Sequence, residues 1–79
     1  MKGIAMSQNG FNSSSVTALH GVTPVVWINV GTLPVSIEVS SGGRVLLNPS
    51  QNYTMVFSSS GTFSFDIPNS GFSGTVLSM

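Results

Sequence analysis

The sequence predicts an all-β, single-domain Greek-key sandwich of seven or eight short strands. Three observations predict it. No window places apolar residues at i, i+3, i+4 and i+7 over three turns, so no amphipathic helix is encoded. Gly and Pro recur about every 8–12 residues, the turn spacing of a sandwich or barrel. Between these breaks lie short β-branched and aromatic runs with a period of two.

Taken in order, a first strand starts within Ala5–Ser7 and ends at Asn9-Gly10, a dipeptide that tolerates positive φ. Ser15–Leu19 is the next strand, and His20-Gly21 turns the chain. Thr23–Val30 carries apolar residues on both faces, Val26, Ile28 and Val30 alternating with Val25, Trp27 and Asn29, as expected of a covered central strand. Gly31–Pro34 breaks it. Val35, Ile37 and Val39 then alternate with Ser36, Glu38 and Ser40, a half-buried pattern. Ser41-Gly42-Gly43 turns into Arg44–Leu47, which closes at Asn48-Pro49-Ser50. Asn52–Phe57 points Tyr53, Met55 and Phe57 inward, and Thr62–Ile67 does the same with Phe63, Phe65 and Ile67. After the Pro68–Gly71 loop, Ser73–Ser78 is the last strand. The predicted core is Val16, Val26, Trp27, Ile28, Val35, Ile37, Val39, Leu47, Tyr53, Met55, Phe57, Phe63, Phe65 and Val76.

Length and composition bound the rest. The 79 residues form one domain, 1–79, with no linker and no internal repeat. There is no Cys, hence no disulfide and no thiolate metal site, and a single His rules out a multi-histidine cage within one chain. The aromatics, each burying roughly 150–250 Å², must then supply most of the stability. Charged residues make up 5% of the chain, namely Lys2, Glu38, Arg44 and Asp66, against about 25% in an average domain. One Lys and one Arg make no basic stripe, so nucleic acid is not an expected partner. No apolar run approaches the ~18–20 residues that span a bilayer, and no membrane partner is expected. Residues 1–7 are too short and too polar beyond for a secretory signal, which predicts synthesis without one.

Read in order, the strands resemble a cupredoxin over most of the chain, from about Asn9 to Val76. Gly10-Phe11, Val16 and Gly21 resemble the first strand pair of small plastocyanin-like domains. Val25-Val26-Trp27-Ile28-Asn29 resembles their V-x-W-x-N strand, and Leu33-Pro34-Val35-Ser36-Ile37 the P-H-x-V that follows. Leu47-Asn48-Pro49 with Tyr53–Phe57, then Gly61-Thr62-Phe63 and Gly74-Thr75-Val76, resemble the remaining motifs. A plain immunoglobulin-like sandwich gives a similar strand pattern and stays open as the alternative. The resemblance implies copper-ligand positions at Val35, Asp66, Asn69 and Phe72, and none of the four carries the family's His, Cys, His or Met. A blue-copper centre needs a thiolate and two imidazoles. The expectation is therefore a copper-free member, with no metal and no cofactor.

No catalytic constellation emerges. His20 precedes Gly21 with no carboxylate beside it, and reads as a turn residue with a solvated ring. Glu38 and Arg44 flank a turn and are expected to pair across strands. Glu38 and Asp66 are the only carboxylates, and nothing in the sequence brings them together as a glycosidase requires. Asp66 is expected to bond backbone in the Pro68–Gly71 loop. No G-x-S-x-G elbow and no phosphate loop is present. Asn12-Ser13-Ser14 and Asn52-Tyr53-Thr54 match the glycosylation pattern, as chance predicts in so Ser-rich a chain. The function expected is therefore non-enzymatic and structural: a small subunit of a larger assembly, such as a virion decoration or minor capsid protein or a filament subunit, with other protein subunits or itself as partner. The alternative is a copper-free cupredoxin-like binding module of a secreted or cell-surface protein.

Overall fold

In the computed structural model, residues 2–40, 43–68 and 70–79 are described. The Ser41-Gly42 part of one expected turn and the Asn69 ligand position lie outside them. Among the described residues nine strands form: β1 Lys2–Ser7, β2 Gly10–Phe11, β3 Ser15–Ala18, β4 Val25–Asn29, β5 Val35–Val39, β6 Gly43–Leu47, β7 Asn52–Met55, β8 Gly61–Asp66 and β9 Ser73–Ser78. They make a four-stranded sheet in the order β2-β1-β4-β7 and a five-stranded sheet in the order β3-β9-β8-β5-β6. β8 returns from the other sheet to lie beside β5, which is the Greek-key step.

The differences from the sequence reading have local causes. β1 begins at Lys2 rather than Ala5, because it pairs in parallel with β4 from Lys2↔Val25 to Met6↔Asn29. That partner is remote in sequence, so no local pattern announced the extra turn of strand. β2 is two residues long, paired back on β1 through Met6↔Phe11 and Ser7↔Gly10. Gly10 holds the turn at φ 113° with the Phe72 ring packed over it. Asn12 extends this pairing, since its backbone N–H donates to Ala5 O and its Oδ1 accepts from Ala5 N–H, both at 2.9 Å. β4 starts after Pro24, which has no N–H for the ladder but whose carbonyl accepts from Lys2 N–H at 2.9 Å.

The core lies between the sheets. Trp27, Val35, Ile37, Val39, Leu47, Phe57, Phe65 and Val76 are buried as expected. Val16, Tyr53, Met55 and Phe63 are half-buried and pack against that core. Val26 and Ile28 face away from it, because β4 turns Val25, Trp27 and Asn29 inward. Ile4, Met6, Ala18, Val25 and Ile67 join the core instead. Trp27 is its centre: its ring stacks on Tyr53 at 6.0 Å and meets Phe65 edge-on at 5.5 Å. Phe65 lies across Gly74, its register partner on β9, where a Cβ would stand 2.5 Å from the ring.

Candidate functional site

One end of the sandwich gathers the β1–β2 turn, the loop after β4 and the loop after β8. Asn29 organises this end. It is fully buried, and Nδ2 donates to Leu33 O and Leu47 O while Oδ1 accepts from Gly31 N–H, all at 2.9 Å. One side chain thus ties the end of β4 to the following loop and to the end of β6. Gln8 reaches over from the β1–β2 turn, lying against Gly31 and donating from Nε2 to Thr32 Oγ1 at 3.4 Å. The loop after β8 is held by Ser70, whose hydroxyl donates to Ile67 O at 2.5 Å and accepts from Phe72 N–H at 3.1 Å. Ser70, not Asp66, therefore performs the loop-bonding role expected of the aspartate.

An open depression of about 330 Å³ lies at this end, lined by Pro34, Val35, Ile67 and Pro68 with the polar Gln8, Ser36, Arg44 and Ser70. The predicted ligand positions do not converge on it as a set. Val35 lines it, but Asp66 does not. β8 alternates Phe63 and Phe65 toward the core and the chain continues that alternation to Ile67, so Asp66 points to the opposite face, and Ile67 lines the depression with Val35. The sequence carried that signal in the same Phe63–Phe65–Ile67 alternation. Phe72 packs over Gly10 with 39% of its surface exposed.

Copper does not fit these residues. The side chains at the depression are aliphatic or neutral, apart from Arg44, and none offers a thiolate or an imidazole. Among the described residues, no three His, Cys, Asp or Glu side chains come together. His20, the single imidazole in the sequence, sits at the opposite end of the sandwich, beside the last residues of β9. Its ring is not merely solvated: Nδ1–H donates to Met79 O at 2.6 Å, and its backbone N–H donates to the same oxygen at 3.0 Å. A second, smaller depression of about 180 Å³ at that end is lined by Met55, Val56, Phe57, Ser58, Ser59 and Phe63, none of them a proton donor or acceptor suited to catalysis.

The charges are arranged in a row that the sequence did not reveal. Asp66, Glu38 and Arg44 stand directly opposite one another on β8, β5 and β6, on the outer face of the five-stranded sheet. Arg44 Nε and Nη2 both donate to Glu38 Oε2, at 3.1 and 3.0 Å, so the expected cross-strand pair forms. The two carboxylates are thus neighbours after all, but on a solvated sheet face where Arg44 already neutralises one of them. An acid–base pair needs a substrate held between its members; of this row Arg44 lines the depression, whose lining includes neither carboxylate. Both glycosylation-pattern asparagines are exposed, and Asn12 Oδ1 is engaged with β1.

Neither a protein-family profile nor a curated protein matches the chain. Solved structures do. A purple cupredoxin from Nitrosopumilus maritimus superimposes with a TM-score of 0.82 at 17% identity, over 100% of both chains. Variants of amicyanin superimpose with TM-scores of 0.83 and 0.84 at 17% identity, over 99% of this chain and 81% of theirs. At this identity the likeness establishes the backbone arrangement and nothing about ligands. The chain has the cupredoxin fold, which decides between the two sandwich topologies that its strand pattern allowed.

Proposed function

We propose that this protein is a copper-free, non-enzymatic binding module of cupredoxin fold, whose work is contact with other protein subunits. The observation that carries the reading is the lining of the loop-end depression, which includes Val35 and Ile67 and, among the described residues, no thiolate and no imidazole. Val35 holds the position that the resemblance gives to a copper-ligating histidine, and a blue-copper centre needs a thiolate and two imidazoles. The same end exposes Val30, Leu33 and Phe72, an apolar surface available to a partner. The likeness to cupredoxins supports a module of a secreted or cell-surface protein over a virion decoration protein or filament subunit.

The test is a titration with Cu(II) and Cu(I), followed by absorbance, electron paramagnetic resonance and thermal unfolding. The expected result is no stoichiometric complex and an unchanged melting temperature. Stoichiometric copper binding that raises the melting temperature overturns the reading, because a ligand bound to the native state must stabilise it. Electron microscopy of the protein in its native setting separates the contact roles, since a repeating lattice of copies favours the assembly subunit.

A further inference from the structure

The edges of the two sheets differ in how they are protected. An edge strand presents unpaired N–H and C=O groups, and folded proteins shield such edges with short strands, Pro, Lys, bulges or a covering segment. β2 is a two-residue edge, and β7 is a four-residue edge with exposed polar Asn52 and Thr54. β6 closes the five-stranded sheet with five residues, Gly43–Leu47, and contains neither Pro nor Lys. Its one charge, Arg44, is already bound to Glu38 on its own sheet. Leu46 projects from it with 59% of its surface exposed, and Val45 is half-buried at the rim of the core. Beyond its ladder with β5, the hydrogen bond among described residues that reaches the β6 backbone is Asn29 Nδ2 to Leu47 O. The net charge of zero leaves no long-range repulsion between copies.

We infer that the outer edge of β6 pairs antiparallel with the same edge of a second copy, joining two five-stranded sheets across a two-fold axis. The sequence of the strand is self-complementary in that arrangement. With the axis at Val45, each Gly43 stands opposite a Leu47, so the largest inward side chain meets the smallest. The two Val45 side chains meet at the rim of the core. On the outer face each Leu46 stands opposite an Arg44, whose methylene stem covers the leucine while its guanidinium stays on Glu38. No like charges are directly opposed. The same patch serves both copies, as a closed dimer requires. One strand pair is a small contact, so the dimer is weak and its population rises steeply with concentration. The inference rests on the contact reading above and names its surface and its partner.

Sedimentation equilibrium at rising concentration, up to about 1 mM, registers even a millimolar dimer. The weight-average mass is expected to climb from 8.2 kDa toward twice that value. Amide hydrogen exchange of Gly43–Leu47 is expected to slow over the same range. Leu46→Lys sets a cation opposite Arg44 twice per dimer and should weaken association about tenfold or more. Leu46→Pro is a second break by another route: the odd residues of β5 face β6, so Val45 N–H is spent on Ile37 while Leu46 N–H points to the open edge, where the monomer tolerates Pro but its ring blocks a pairing partner. A protein that stays at 8.2 kDa throughout overturns the inference, as does a dimer indifferent to both substitutions. Copper is added in parallel samples: a monomer that ignores copper removes the edge pairing alone, and a copper complex removes the binding-module reading whatever the mass.

Discussion

Replacing Asn29 with Ala should be the most damaging single change of a polar residue in this protein. The side chain is fully buried and uses both amide hydrogens and its oxygen. Truncation strands three main-chain groups. Leu47 O lies in the interior and loses a buried bond, a desolvation cost of about 1–3 kcal/mol. Leu33 O and Gly31 N–H are only part-buried, so water partly replaces the amide, and each costs about 0.5–1.5 kcal/mol. The expected loss is about 3–4 kcal/mol, a large share of the ~4–12 kcal/mol that a domain of this length possesses. At about 4–8 °C per kcal/mol, the melting temperature should fall by roughly 12–32 °C. Urea unfolding followed by tryptophan fluorescence measures it directly, because Trp27 is the single tryptophan and is fully buried when folded. Asn29→Asp is the sharper control. It keeps an acceptor for Gly31 N–H but turns a carboxylate oxygen toward the carbonyls of Leu33 and Leu47. It should be at least as unstable as Asn29→Ala at neutral pH. A loss below about 1 kcal/mol for the alanine variant, the worth of one ordinary hydrogen bond, would refute the claim that this residue organises the loop end.

Three further substitutions test the packing. Gly74→Ala places a methyl 2.5 Å from the Phe65 ring and 2.6 Å from Ser14 O. The ring can turn but the backbone oxygen cannot, so a loss of about 1–3 kcal/mol is expected in chemical denaturation. Trp27→Phe should cost less than the ~3–5 kcal/mol typical of emptying an aromatic site, because the indole Nε1–H is buried with no hydrogen-bond partner among the described residues and its removal offsets part of the lost contact. Circular dichroism is the readout there, and a loss as large as that of Trp27→Ala would contradict it. A double-mutant cycle on Glu38 and Arg44 should give a coupling of about 0.2–1 kcal/mol that fades in high salt, since both side chains are roughly half exposed.

What was legible in the sequence was local. Period-two alternation placed Ile37 and Val39 on β5, Phe63 and Phe65 on β8, and Val76 on β9 on the correct face, because the pleat dictates which neighbours share a side. The parallel pairing of β1 with β4 joins segments more than twenty residues apart, and nothing near Lys2 or Ile4 encodes it. That is why Ile4 and Met6 were missing from the expected core. Asn29 was not among the expected core residues, because both faces of its strand read as covered; a buried amide with three partners is nonetheless as interior as a leucine. The row of Asp66, Glu38 and Arg44 follows from the register of three strands and from nothing in their local sequence. Asp66, the position that the resemblance gave to a copper-ligating cysteine, lies on the outer face of β8, and Ile67 beside it is buried.

This end of the fold is held together without any cluster of metal-ligating side chains among the described residues. A metal centre fixes loops by coordinating residues from each of them. Here the loops are fixed by two polar side chains instead. Asn29 joins the end of β4 to Leu33 and to the end of β6, and Ser70 closes the loop after β8 onto Ile67 and Phe72. Ile67 is 8% exposed and Val35 5%, so the floor of the depression between the loops is buried hydrocarbon. Such filling contributes roughly 1.5–3 kcal/mol per buried side chain, with no dependence on metal supply or redox state. The loop end is therefore preorganised as a surface. It presents Val30, Leu33 and Phe72 on a frame that hydrogen bonds and packing already hold, which lowers the ordering cost of any contact made there.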